Sequence, residues 1–172
     1  MITVEDLIWK PISAPGAPGP DMDPLTESDA LQEAQLLDLR LHAVSSTAGL
    51  LFELRTALQF EYGNAALLVI RGLRQASWRA VERGEEQMAW SVMGSAITAR
   101  TGHLELNITL APSASVEILG TNAEFYVLDV PEMGETPPDY CFDREVRIRA
   151  GLPNWGSPVS ILYASYLDRR VS

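Results

Sequence analysis

The chain has 172 residues, 47% of them hydrophobic and 21% charged, with a formal net charge of −10. That length predicts one domain, burying roughly 70% of its unfolded surface without help from disulfides or metal. The composition excludes a disordered chain and a membrane-embedded one. The negative charge argues against a nucleic-acid partner, because phosphate neutralisation needs a basic surface.

A single cysteine, Cys141, rules out an intrachain disulfide and fits a reducing compartment. Residues 1–7 are acidic where a signal peptide is basic, and no apolar run follows them. The longest uncharged stretch, 150–167, contains Pro153, Pro158 and two glycines and cannot serve as a membrane helix. The expectation is a soluble cytoplasmic protein without membrane association.

Residues 4–9 form a short apolar piece, able to add a strand or to dock Trp9 on the body. Residues 10–24 (KPISAPGAPGPDMDP) are too rich in proline for a helix or central strand and predict a linker or an extended surface arm. The chain therefore divides into an amino-terminal segment and proline-rich arm, 1–25, and one β-rich domain, 26–172. Thr26, with Asp29 three residues on, predicts the start of a short helix through Ala30, Leu31 and Ala34.

From residue 37 the period becomes two. Leu37, Leu39 and Leu41 alternate with Asp38, Arg40 and His42. The alternation in 50–62 favours a strand over a competing helix, and Gly63-Asn64 marks a hairpin turn into the returning strand 66–71. Residues 88–98 lean towards strand. Leu104, Leu106, Ile108 and Leu110 point inward on another, and two more strands carry Val116, Ile118 and the run FYVLDV. Residues 131–143 form an acidic loop and 151–156 a turn. The last strand, 159–167, is apolar on both faces, which predicts insertion into the sheet. The fold class is mainly β, with α+β as the alternative. An antiparallel meander curls into a sandwich or partly closed barrel, with one or two short helices at most.

Catalytic patterns are missing. No nucleophile elbow, phosphate-binding glycine loop or calcium loop occurs, and His42, His103 and Cys141 lack the short spacing of metal ligands. Asp139 and Asp143 beside Cys141 disfavour its thiolate. Asp38, Glu53, Glu61, Glu105, Glu117 and Glu124 read as the outward charges of a solvated sheet face. No cofactor and no catalytic or metal site is assigned.

Charge is segregated along the chain. Arg71, Arg74, Arg79 and Arg83 cluster together, whereas 131–145 is acidic, with Asp139 at its centre. These segments either pair within the fold or present a bipolar surface to a protein partner. Trp155, on a turn-rich loop, is a candidate interface anchor, with covering an open end of the sheet as its alternative role. The partner-binding candidates are thus Arg71, Arg74, Arg79, Arg83, Asp139 and Trp155.

Three stretches, 37–79 (opening LDLRLHAVSSTAGLLFELR), 123–131 (AEFYVLDVP) and 148–155 (IRAGLPNW), resemble a family of bacterial proteins of unassigned activity, mainly from high-GC Gram-positives. The order of the LLFELR and VIRGLRQASW segments also resembles small β-rich immunity proteins of bacterial toxin systems, from which the proline-rich arm departs. That resemblance implies neutralisation of a co-encoded toxin by binding, and an acidic protein suits basic nuclease toxins. The expected function is a non-enzymatic protein-binding domain, immunity-type or accessory. The alternatives are a small-ligand-binding β domain and, less favoured, a carboxylate-dependent enzyme.

Overall fold

A computed structural model of the chain describes residues 1–14, 19–81 and 87–168. Ten antiparallel strands form one open sheet: β1 (Ile2–Thr3), β2 (Gln35–His42), β3 (Thr47–Glu53), β4 (Ala65–Arg71), β5 (Gln75–Ala80), β6 (Trp90–Arg100), β7 (His103–Ala111), β8 (Ala114–Gly120), β9 (Asn122–Asp129) and β10 (Pro158–Asp168). Among the described residues there are two short helices, α1 (Val4–Trp9) and α2 (Glu145–Ala150). The strand order is β1-β10-β9-β4-β3-β2-β6-β7-β8-β5. The fold is mainly β.

Strands β3, β4 and β9 are buried on both faces. On one face Leu50, Phe52, Leu68 and Phe125 pack with Leu106, Ile108 and Val116 of β7 and β8, so the sheet folds over onto a shared core. On the other face Leu51, Leu67, Tyr126 and Leu128 meet Val4, Leu7 and Ile8 of α1. Each fully buried aliphatic side chain of that helix contributes about 1.5–3 kcal/mol by leaving water.

Six residues are too few for a helix to hold by itself in water, so α1 depends on what surrounds it. At its start Asp6 accepts hydrogen bonds from the Thr3 N–H (2.8 Å) and hydroxyl (3.1 Å). These bonds hold its carboxyl below the usual aspartate range. At its end Arg71 donates to the carbonyls of Leu7 (2.6 Å) and Ile8 (2.8 Å), which the helix leaves unpaired. The same guanidinium is paired with Glu124, whose Oε1 also accepts the Tyr126 hydroxyl at 2.5 Å. Burial, and then Glu124, push the Tyr126 phenol far above its ordinary pKa. The neutral phenol's contribution is full below about pH 10 and is lost only as pH climbs towards the raised value.

A second buried pair holds the far end of this face. Arg55 donates to Glu53 through Nε (2.8 Å) and Nη2 (2.5 Å), and Glu53 is fully buried. The remaining Arg55 donors reach the carbonyls of Gly134 (3.0 Å), Thr136 (3.0 Å) and Gly151 (2.7 Å). One guanidinium thus fastens the acidic loop and the end of α2 to the sheet. Glu53 and Glu124 are therefore not solvated outward charges, because strands covered on both faces have no wet side to offer them.

Three local expectations are corrected. Residues 26–34 form turns, not a helix. Asp29 and Glu33 take positive φ (63° and 70°), and the segment pairs with β6 through Asp29 N–H to Ser95 O (2.7 Å) and Glu33 N–H to Val92 O (3.0 Å). The strand expected over 50–62 ends at Glu53. Beyond it successive turns bury Leu54, Ala57 and Phe60 while Leu58 stays exposed. Gly63, with φ of 86°, and Asn64 still deliver the chain into β4, where Asn64 exchanges two hydrogen bonds with Val130. The third concerns β10, which past Val159 has β9 as its strand partner and is largely half-buried instead of central. Its second apolar character is met by the amino-terminal segment: the Tyr166 hydroxyl donates to Ile12 O (2.7 Å), and the Tyr163 hydroxyl to Asp23 (2.9 Å).

Arg71→Ala leaves Glu124 charged, buried and without its cation. Denaturant unfolding should show a loss of about 3–5 kcal/mol, and joint replacement by Arg71→Met and Glu124→Leu should restore most of it. A loss below about 1 kcal/mol in the single variant would show that α1 is held by packing alone.

Candidate binding surface along strand β2

Strand β2 runs beside β3 over its whole length, from Gln35 to His42. On its other side it pairs with β6 at Gln35 and Leu36 only. Residues 29–34 carry the contact along β6 in the other direction, with Val92 N–H to Ala34 O (2.8 Å) and Ser95 N–H to Asp29 Oδ1 (3.1 Å). The two strands are antiparallel and β6 begins at Trp90, opposite Leu36, so from Leu37 onward β2 runs past the start of β6 and has no strand partner on that side among the described residues. The Leu39 N–H is met by the carboxylate of the preceding Asp38, at 2.9 Å.

The pleat then sorts the side chains. Asp38, Arg40 and His42 face the side of the sheet that carries α1. There the Trp155 indole N–H donates to Asp38 Oδ2 at 2.6 Å, and the Arg40 guanidinium lies 5.5 Å from the Trp155 ring centre while pairing with Glu5 at 2.9 Å. Trp9 meets the His42 ring edge-on at 4.4 Å, and His42 Nδ1 lies 2.7 Å from the Ser45 hydroxyl. Gly49, beside Arg40 on β3, allows this packing: a Cβ there would collide with Ile8 and crowd the Trp155 ring.

Leu36 and Leu39 turn to the opposite side, towards the main core. There Trp78 of β5 stands perpendicular to Trp90 of β6, with ring centres 5.3 Å apart. The two indoles and residues 36–39 enclose an open cavity of about 370 Å³. Leu41 is exposed further along the strand. All four tryptophans of the chain thus border β2, two on each side.

The residues singled out by sequence separate in space. Trp155 stands on this surface. Arg74, just before β5, and Arg79, on it, are exposed, and Arg79 alternates with Trp78 so that it points to the opposite face, into a groove it shares with Met93 and Ser115. Arg71 does not join them: its side chain is only 15% exposed and belongs to the α1 clasp. Asp139 lies on the acidic loop, where Oδ1 accepts the N–H groups of Cys141 (2.8 Å) and Phe142 (3.2 Å). Arg83 lies outside the described residues. Among the described residues no salt bridge joins the arginine cluster to 131–145. Asp143 and Glu145 pair instead with Arg147 and Arg149.

Other chemistry is sparse. His103 lies 3.6 Å from Glu105, Cys141 is an exposed thiol, and burial raises the Tyr140 phenol above its ordinary pKa. Among the described residues no three His, Cys, Asp or Glu side chains converge as a metal cluster. A cavity of about 50 Å³ beside Phe60 and Tyr163 is far below the size of a substrate site. No helix among the described residues is long and apolar enough to cross a membrane. Compared with known proteins, the chain matches no family model, no curated protein and no solved structure.

Asp38 is the polar link that sets Trp155 against β2. In Asp38→Ala the Trp155 indole N–H resonance, assigned with Trp155→Phe, should move and exchange faster with water, and stability should fall by about 1 kcal/mol. An unmoved resonance would mean that packing on Gly49 alone positions the ring.

Proposed function

We propose that this chain is a non-enzymatic protein-binding domain that holds its partner on the β2 surface. The observation that carries the reading is the gathering of Trp9, Trp78, Trp90 and Trp155 along β2, whose ladder to β6 stops after two residue pairs. Tryptophan and arginine dominate the energetic centres of protein interfaces, where they offer large apolar area with a polar handle. Arg40, stacked on Trp155 and anchored by Glu5, is held ready at no further ordering cost.

The interior of the folded sheet is filled by Leu50, Phe52, Leu68, Ile108 and Phe125, each at most 1% exposed, which disfavours a ligand enclosed there. The buried carboxylates Glu53 and Glu124 are bound to arginines and structural carbonyl clasps, which disfavours acid–base work by them. Within the protein-binding reading, an immunity-type or accessory factor in a bacterial cytoplasm is the specific form proposed. The exposed thiol of Cys141 is in keeping with such a reducing compartment.

Affinity capture from lysate of the native host, at low salt, tests the reading by comparing variants. A partner retained by the unmodified protein should fall about tenfold or more with Trp155→Ala and with Trp78→Ala, and remain with Phe142→Ala on the acidic loop. Retention by both tryptophan variants, equal loss with Phe142→Ala, or no saturable partner would overturn it.

A further inference from the structure

Two edges of the sheet are treated differently. The β10 edge is gripped from both faces by the amino-terminal segment: Ile12 packs beside Tyr126 on one, and Gly19 and Asp23 lie against Tyr163 on the other. Short edges, prolines, lysines and covering segments are how folded proteins prevent stray strand pairing. Among the described residues no segment pairs with β2 on that side beyond Leu36. Its sequence there, Leu37–His42, holds no proline or lysine, and the carboxylate of Asp38 takes the Leu39 N–H.

Across the cleft lies β5, whose registered partner among the described residues is β8 alone. The cleft is closed at one end by Leu73 N–H to Ser46 O (2.9 Å) and floored at the other by the Trp78–Trp90 pair. Its cavity, about 370 Å³, has room for one or two large side chains. Two strand edges therefore face a shared apolar gap.

Charge near that gap is also unpaired among the described residues. Arg40, Arg55, Arg71 and Arg100 each meet a carboxylate. Arg74 and Arg79 make no salt bridge among the described residues, and Arg74 reaches only the Gly102 carbonyl, at 3.5 Å. In a chain of net charge −10, Arg74 is an exposed positive group with no acidic partner among the described residues.

We infer that the open edge of β2 accepts an extended segment of the partner as an added strand, which places an apolar side chain in the Trp78–Trp90 cavity and an acidic one within reach of Arg74. Main-chain hydrogen bonds supply attraction in this mode, and alternate side chains supply selection. The overall negative field disfavours a partner that is acidic throughout. The fitting segment is an apolar, proline-free strand bearing an isolated Asp or Glu, on a partner neutral or basic elsewhere. The inference rests on the protein-binding reading and specifies how that binding is made.

The test uses the full chain and a displayed library of random linear peptides long enough to form one strand. Enriched peptides should lack proline, alternate in polarity and carry Asp or Glu. With an enriched peptide made synthetically and labelled for anisotropy, Arg74→Glu should weaken binding about tenfold or more, and a peptide with lysine in place of its acid should regain affinity for that variant. N-methylation of alternate peptide amides should abolish binding in one register and leave it nearly unchanged in the other, as expected when one edge of the peptide pairs with β2. Enrichment of basic or helix-patterned peptides, tolerance of both methylation registers, or no enrichment would overturn the inference. If no linear peptide binds while Trp155→Ala still loses the captured partner, strand addition falls and the protein-binding reading stands.

Discussion

The register of β2 on β6 shapes this molecule, because the two strands are antiparallel and meet only at the first residues of each. Residues 29–34 lie along Val92 and Ser95, β2 pairs at Gln35 and Leu36, and the rest of β2 runs past Trp90, where β6 begins, with no strand partner on that side among the described residues. A bulge in each strand at the junction, between Leu36 and Asp38 and between Val92 and Gly94, lets the two halves of the sheet diverge. The cavity lined by residues 36–39, Trp78 and Trp90 opens at this junction.

The opposite face depends on two charges placed where hydrophobic residues would be expected. Glu53 and Glu124 mark the two ends of the layer formed by Leu51, Leu67, Val69 and Tyr126, and each holds an arginine that reaches backbone carbonyls of a separate segment. Removing a charge from water is costly, and such pairs persist when the hydrogen bonds around them are complete. Here the donors of Arg55 and Arg71 are distributed over carboxylate and main chain, which converts a desolvated pair into a mechanical tie. The same ties seat α1 and the turn carrying Trp155 against β3, and so determine which groups line β2.

Much of the sheet was legible in the sequence because alternation reports a strand with one wet face. Strand β7, with Leu104, Leu106, Ile108 and Leu110 inside and Asn107 and Thr109 outside, obeys that rule. It fails where both faces are covered: Glu53 and Glu124 occupy strand positions that looked solvated and are not. It fails again after Glu53, where Leu54, Ala57 and Phe60 recur every third residue in turns but sit within a run that also alternates by two. Residues 26–34 carry helix-start chemistry in Thr26 and Asp29, yet pairing with β6 outweighs a marginal local preference. Of the candidate surface, Trp155 could be found from its turn-rich setting. The convergence of Trp9, Trp78 and Trp90 on the same strand could not, because it follows from strand order and not from spacing.

Amide hydrogen exchange resolved to single residues on the free protein addresses the open edge most directly. Amides of Leu37–His42 that point to β3 should exchange slowly, with those of β3 and β4, while the outward-pointing ones exchange faster by orders of magnitude. Uniformly slow exchange along β2 would mean that its edge is already filled, and the proposed binding surface would not exist.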